Sequence, residues 1–165
     1  PERKAAKKAH NATPEAKAAQ KAYHASPAGK AAQKASKAAQ REAARLPDGQ
    51  CAVYAYACAK QCMIATKIGI TELPPMRPAG VKRDYKLTRK PKELNLLICD
   101  NRKQALAVEK ILHEAYVSQK LPSKDWGGSD EMFDLSPEQR ERLGEHYKWT
   151  LARVKETESL SKSFV

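Results

Sequence analysis

The sequence predicts a small α/β domain of the α+β kind, a three-stranded antiparallel sheet flanked by helices, preceded by an Ala/Lys-rich arm that is helical or disordered. Segments rich in β-branched and aromatic residues occur at 53–56 and 67–71, and the polar stretch between them is typical of a hairpin. A third segment, ELNLLIC at 93–99, is apolar over most of its length. We therefore expect it to be the central strand, covered on both faces.

Two helices with recognisable starts complete the predicted domain. Asn101 and Gln104 have the spacing of a capping box, and apolar residues recur after them with a helical period. Ser136 before Pro137 marks a second start, and the apolar stripe that follows ends near Lys155. The order of elements is that of a small α/β sandwich.

The first 45 residues have a different composition from the rest of the chain. The chain has 165 residues and a net charge of +12, of which residues 1–45 contribute +8; they also hold seventeen alanines, and Tyr23 is their only large apolar side chain. Such a segment cannot bury a core. We expect an arm at 1–46, a globular domain at 47–158 and a frayed tail at 159–165. The chain begins at Pro1, as expected after removal of an initiator methionine or within a longer protein.

The arm contains a thirteen-residue repeat, with copies that begin at Lys4, Lys17 and Lys30. Thr13 and Ser26 each precede a proline, which predicts capped helices of about nine residues, too short to be stable alone. Lysines on helices with no apolar face suit a polyanion, because phosphate contacts release counterions. The alternative is a solvated basic linker. The predicted nucleic-acid-binding residues are Lys4, Lys7, Lys8, Lys17, Lys21, Lys30, Lys34, Lys37 and Arg41.

The four cysteines do not have the spacing of a zinc finger. Cys51, Cys58, Cys62 and Cys99 lack a C-x-x-C pair, so reduced, packed thiols are favoured over a metal site or disulfides. No apolar run approaches the roughly 18 residues of a membrane span, and no segment resembles a signal peptide. The expected compartment is the reducing cytoplasm.

Several polar residues fall where they can meet. Side chains two apart on a strand share a face, so Tyr54 and Tyr56 can lie beside Lys67, with Gly69 leaving room for a ligand backbone. Glu109 lies at the edge of the buried arc of its helix. A carboxylate there is costly unless it is paired, protonated or bound to a metal, and the alternative is that it reaches out to water.

The segment KIGIT at 67–71, with a tyrosine on the preceding strand, resembles the GIY-YIG endonuclease superfamily, most of all its phage-encoded branch, the T-five orf172-type domain. The resemblance covers roughly residues 51–135 and none of the repeat. Tyr54 matches the family's catalytic tyrosine, Lys67 stands in place of the tyrosine of its second motif, and Arg77 matches its arginine. Ala105, Glu109 and His113 match its A-x-x-x-E-x-x-x-H helix. Its closing segment matches Glu131 and Phe133, with Met132 in place of a tryptophan.

The resemblance implies a metal-dependent endonuclease that hydrolyses double-stranded DNA, of the phage or mobile-element type. In that reading Lys67 favours the phenolate of Tyr54, which acts as a general base on water or, less often, as a nucleophile. Arg77 stabilises the phosphoryl group, and Glu109 binds one Mg²⁺ or Mn²⁺. His113 either orients water or is structural. The prolines near Arg77 argue against a helix there, so Arg83 is an alternative. Other readings are a catalytically idle DNA-binding protein or repressor, and a structural nucleoid-type protein.

Overall fold

The computed structural model describes residues 13–61, 63–126 and 131–163, and the chain divides into two compact units after Ala43. The described residues form five α-helices and one four-stranded antiparallel sheet. The predicted α+β class is therefore confirmed, although the sheet has four strands rather than three. The additional strand has only two residues, which is too short to give a sequence pattern.

The described part of the first unit contains two helices, α1 (Pro14–Ala25) and α2 (Pro27–Ala43). Thr13 Oγ1 accepts a hydrogen bond from the Ala16 N–H at 3.2 Å, and Ser26 Oγ accepts one from the Gly29 N–H at 3.1 Å. Both predicted caps are therefore present. The helices are longer than predicted, because no proline interrupts the chain after Pro27 until Pro47. The repeat copy that begins at Lys4 lies outside the described residues.

The sheet contains β1 (Cys51–Lys60), β2 (Met63–Thr71), β3 (Lys92–Cys99) and β4 (Met132–Phe133), in the order β3-β1-β2-β4. The interior strands are β1 and β2, and the first six residues of β1 are all buried. The prediction that 93–99 is central is wrong, since β3 lies at an edge and only one of its eight residues, Cys99, is fully buried. Its apolar run reflects the helix packed on it, and such a run alone does not reveal whether both strand edges are paired.

Three helices pack on the sheet: α3 (Arg77–Asp84), α4 (Arg102–Ala115) and α5 (Pro137–Ser163). The Asn101 side chain caps α4 by accepting a hydrogen bond from the Gln104 N–H at 2.9 Å. At the start of α5, Ser136 and Gln139 exchange two hydrogen bonds, of 3.2 and 2.9 Å. This helix reaches Ser163 instead of ending near residue 155, because no glycine or proline follows to stop it.

Each face of the sheet has its own apolar cluster. One face packs against α4 and α5 through residues such as Val53, Ile68, Val108, Leu112, Phe133 and Leu143. The other face packs against α3 and the loop before β4 through residues such as Tyr54, Tyr56, Val81, Trp126 and Met132. The hairpin of β1 and β2 therefore presents alternate side chains to two separate environments.

Three of the cysteines, Cys51, Cys58 and Cys99, are buried free thiols. Burial raises the pKa of Cys58 to about 12 and that of Cys99 to about 11, so both are protonated and inert at neutral pH. The fourth, Cys62, lies outside the described residues. None of the helices in the described part of the chain has the length and apolar character that crossing a membrane requires.

Candidate active site

Polar residues of the β1–β2 hairpin lie on the face of the sheet that α3 covers. The register pairs Tyr54 with Gly69 and Tyr56 with Lys67, and alternate residues of a strand share a face. Tyr54 and Lys67 are therefore on one face, as predicted. However, this face is not an open polar surface, because Tyr54, Tyr56 and Lys67 are all fully buried.

The space beside Gly69 is filled by the ring of Tyr54. A Cβ atom at position 69 would lie 2.6 Å from Tyr54 Oη and 2.8 Å from its Cζ. The room that the glycine leaves is therefore taken by the phenol rather than by a ligand backbone, contrary to the prediction. The Tyr54 ring also stacks on Tyr56, with ring centroids 4.6 Å apart and planes 23° apart. Tyr54 is thus held on two sides.

Arg77 covers the hydroxyl of Tyr54. Arg77 Nε donates a hydrogen bond of 2.9 Å to Tyr54 Oη, and the guanidinium carbon lies 5.5 Å from the ring centroid. The expectation that prolines exclude a helix here is wrong, because Pro78 lies in the first turn of α3, where a missing N–H costs no helical hydrogen bond. The alternative, Arg83, is exposed and pairs with Asp84 at 3.2 Å. Of the two arginines, Arg77 is the one that contacts Tyr54.

Lys67 is a buried cation with an acidic partner. Its Nζ forms an ion pair with Glu131 Oε2 and lies 5.1 Å from the ring centroid of Tyr85. The Glu131 carbonyl accepts a hydrogen bond of 3.2 Å from the Ile68 N–H, so the strand β2 positions this carboxylate. Burial alone lowers the pKa of Lys67, but Tyr54 and Glu131 together raise it above its ordinary value. Lys67 is therefore charged at neutral pH.

The ionisation of Tyr54 is governed by opposing effects. Burial raises the pKa of its phenol, while Lys67 and the hydrogen bond from Arg77 lower it, and the net pKa is raised. Lys67 thus acts in the predicted direction, but in this conformation burial is the larger effect. The phenol is therefore protonated at neutral pH, and its ionisation requires a change in its surroundings.

Glu109 and His113 come from α4, which covers the opposite face of the sheet. Burial and the nearby Glu131 carboxylate raise the pKa of Glu109, and Lys67 partly offsets this. Glu109 is thus within electrostatic reach of the Lys67–Glu131 pair. The His113 ring lies 5.1 Å from that of Phe133, and burial lowers its pKa. The structure brings Tyr54, Lys67 and Arg77 into one group and Glu109 and His113 into another.

The second group opens onto a cleft of about 500 Å³ beside α4. The cleft is lined by Leu106, Glu109, Lys110, His113, Glu114, Val117, Lys120 and Phe133. His113 Nε2 also lies 3.4 Å from the Ile68 carbonyl oxygen, so the ring has a structural contact as well as a position in the cleft. Glu131 links the two groups electrostatically. It pairs with Lys67, and its charge raises the pKa of Glu109.

Glu109 is suited to hold a divalent cation with few protein ligands. Within residues 13–61, 63–126 and 131–163, no group of three or more His, Cys, Asp or Glu side chains could enclose a metal ion. Mg²⁺ commonly binds through one or two carboxylates together with waters and substrate phosphates. The half-buried Glu109 carboxylate, with the like-charged Glu131 nearby, fits this requirement, because a cation would offset both effects that raise its pKa. The Mg²⁺ or Mn²⁺ cofactor stays a prediction.

The predicted DNA-binding residues that the structure describes are all exposed on α1 and α2. They are Lys17, Lys21, Lys30, Lys34, Lys37 and Arg41. The four on α2 follow one another at intervals of four, three and four residues, which places them on a single stripe of the helix. Lys4, Lys7 and Lys8 lie outside the described residues.

Sequence reasoning missed the partners of the catalytic candidates. Glu131 matches the family's closing segment, but its ion pair with Lys67 is not predicted, and neither is the position of Tyr85 beside that ammonium. One signal was present: a lysine on a strand face occupied by tyrosines requires a buried acid nearby. Which acid supplies it depends on the fold, since Lys67 and Glu131 are 64 residues apart.

Comparisons of the chain with protein-family models, with curated proteins and with solved structures gave no match. The resemblance to the GIY-YIG superfamily therefore depends on the residues and motifs quoted above.

Proposed function

We propose that this protein is a metal-dependent endonuclease of the GIY-YIG type that hydrolyses phosphodiester bonds of double-stranded DNA. The observation that carries the proposal is the hydrogen bond between Arg77 and the Tyr54 hydroxyl beside the buried, charged Lys67. A phenol with two cations is poorly explained by packing, because burying an ammonium costs several kcal/mol even when it is paired. The same group is suited to deprotonating a nucleophile and to binding a phosphoryl group.

Each residue has a role that follows from its contacts. Lys67 favours the phenolate of Tyr54, which accepts a proton from the attacking water. Arg77 is partly exposed and turns from the phenol to the non-bridging phosphate oxygens, where it offsets the charge that develops in the transition state. Glu109 would hold the divalent cation, which supplies Lewis-acid stabilisation of the phosphate and the leaving 3′ oxygen.

The arm is proposed to bind the DNA without sequence preference. The stripe of Lys30, Lys34, Lys37 and Arg41 presents four cations along one side of α2. Contacts of this kind gain affinity from released counterions and carry no base-specific information. Under this proposal the protein acts in the cytoplasm, that of the host where the protein is encoded by a phage.

The test is cleavage of supercoiled plasmid with Mg²⁺ and with a chelator. The wild-type protein is expected to cut only with the metal, and Glu109→Ala is expected to lose cleavage while it still binds DNA. Glu156→Ala, an exposed glutamate of α5 paired with Arg153, is the matched control and should cut normally. Normal cleavage by Glu109→Ala would remove this residue from the metal site.

A second candidate is a nuclease-derived DNA-binding protein whose catalytic groups are idle. It is favoured by one observation, the complete burial of Tyr54 with a raised pKa. A protein of this kind would bind DNA through the arm and never cut it. Tyr54→Phe separates the two, because it keeps the ring but removes the ionisable group. It should lower cleavage by about 10²-fold in a nuclease and leave DNA affinity unchanged in either case.

A further inference from the structure

Two arginines converge on one carboxylate at the end of β2. Arg45 Nη2 lies 3.5 Å from Glu72 Oε2, and Arg102 Nη1 lies 3.4 Å from Glu72 Oε1. All three side chains are between 41% and 60% exposed, and exposed ion pairs stabilise a protein by only about 0–1 kcal/mol. The arrangement therefore contributes little to folding.

The three residues line a cleft with a defined backbone. The cleft has a volume of about 270 Å³ and is completed by residues 46–50. The Leu46 N–H donates to the Glu72 carbonyl oxygen at 3.0 Å, and the Gln50 N–H donates to that of Pro47 at 2.9 Å. The loop is thus fastened to the end of β2, which keeps Arg45 opposite Arg102.

This cleft and the proposed metal site both include a residue of α4. Arg102 is the first residue of α4, and Glu109 follows seven residues later, so both are on the same side of the helix about 10 Å apart. The Arg102 charge also lowers the pKa of Glu109, which shows that the two are within electrostatic reach.

We propose that Arg45 and Arg102 bind a backbone phosphate of the DNA on one side of the scissile phosphate. Glu72 occupies that position in the free protein, because its two carboxylate oxygens meet the two guanidinium groups as two phosphate oxygens would. The inference rests on the proposed function, since it takes the scissile phosphate to lie beside Glu109. It adds a binding subsite distinct from the catalytic residues and from the basic residues of α1 and α2.

The subsite predicts opposite effects for its cationic and anionic members. Arg45→Gln and Arg102→Gln each remove a phosphate contact, so affinity should fall, and the slope of log K against log[salt] should become shallower by about 0.9 for each. Glu72→Gln removes a competitor for the arginines while keeping the shape of the side chain. Its affinity for DNA should therefore rise severalfold. A purely structural role would not make binding tighter when the ion pairs are lost.

The experiment measures binding of the full chain to a short DNA duplex by fluorescence anisotropy over a series of salt concentrations, with a chelator present. Arg153→Gln and Glu156→Gln are matched controls, because these residues form a similar exposed pair on α5. The controls should bind as the wild type does.

Slopes for Arg45→Gln and Arg102→Gln that equal those of the wild type and of Arg153→Gln would overturn the subsite. Binding of Glu72→Gln that is no tighter than wild type would overturn the role of Glu72 as the occupant. Neither measurement requires cleavage. A wild-type protein that binds but never cuts therefore contradicts the nuclease proposal, whereas unchanged slopes in a protein that does cut contradict the subsite alone.

Discussion

Replacing Gly69 with alanine tests whether the position of Tyr54 depends on the absence of a side chain opposite it. The added Cβ would lie 2.6 Å from the phenol oxygen, and the ring cannot retreat freely, since Tyr56 stacks on it and Arg77 donates to its hydroxyl. Ordinary contact distances begin near 3.4 Å, so the hydroxyl must move by somewhat less than 1 Å. Such a shift disrupts the hydrogen bond from Arg77.

The magnitude follows from two opposing effects. Overpacking a filled site costs about 1–3 kcal/mol, while replacing a glycine within a strand returns about 0.5–1 kcal/mol of backbone entropy. We expect Gly69→Ala to lower the free energy of unfolding by about 1–2 kcal/mol, which is a decrease in Tm of several degrees. Because a misplacement of about 1 Å in a catalytic group costs about 10²-fold in rate, cleavage should fall by about that factor.

The assays are urea denaturation and plasmid cleavage, with Gly144→Ala as the control. Gly144 lies within α5, where an added Cβ would come no closer than 3.6 Å to Asn95 Oδ1. That variant should be more stable by up to about 1 kcal/mol, because alanine favours a helix over glycine, and should cut normally. If Gly69→Ala is as stable and as active as the wild type, Tyr54 is not packed against position 69 and the geometry assigned to the site is wrong.

Three further predictions follow from the charges. Glu131→Gln leaves Lys67 without its acidic partner and should lower the free energy of unfolding by about 2–3 kcal/mol, which is below the range for a fully buried pair because Glu131 is 41% exposed. The control Asp134→Asn, measured by the same urea denaturation, should leave the free energy of unfolding unchanged. Glu109→Gln should raise Tm at neutral pH without divalent cations. Because the pKa of Glu109 is raised, its carboxyl group stabilises the folded state at pH values below the unfolded pKa, and this stability is lost as the pH rises through the folded pKa. An unchanged Tm refutes this. Removing residues 1–45 should keep the domain's Tm but make the salt dependence of DNA binding shallower by about 0.9 per lost contact.

The sequence predicted the elements of the fold better than their arrangement. Helix starts depend on local hydrogen bonds, so the caps at Thr13, Ser26, Asn101 and Ser136 could be identified from short motifs. Strand order depends on contacts between distant segments. The alanine-rich β1 is central and the apolar β3 lies at the edge, because pairing on both sides, rather than side-chain hydropathy, defines a central strand.

The sequence predicted that Tyr54 and Lys67 share a face of the sheet but not what surrounds them. Alternation along two paired strands was enough to place Tyr54 and Lys67 on one face. It could not show that the face is covered, since the covering residues Arg77 and Glu131 come from segments outside the hairpin. Burial then reverses the expected direction of the Tyr54 pKa, an effect that depends on the whole fold rather than on any neighbour in the sequence.

The raised pKa of Tyr54 is compatible with a role as general base if the residue that covers it is also the one that binds substrate. Arg77 contacts both Tyr54 and Asp84, the latter at 3.9 Å, and its side chain is 32% exposed, so an incoming phosphate can reach it. In the proposed nuclease, a turn of Arg77 to that phosphate would expose the hydroxyl to water and relieve part of the burial that raises its pKa, but it would also remove the hydrogen bond that lowers it. Lys67 does not move with it, because Glu131 holds it in place. In the proposed nuclease the phenol keeps its cationic neighbour Lys67, and deprotonation becomes easier with DNA bound only if the relief of burial, the largest effect on this pKa, exceeds the loss of the Arg77 hydrogen bond.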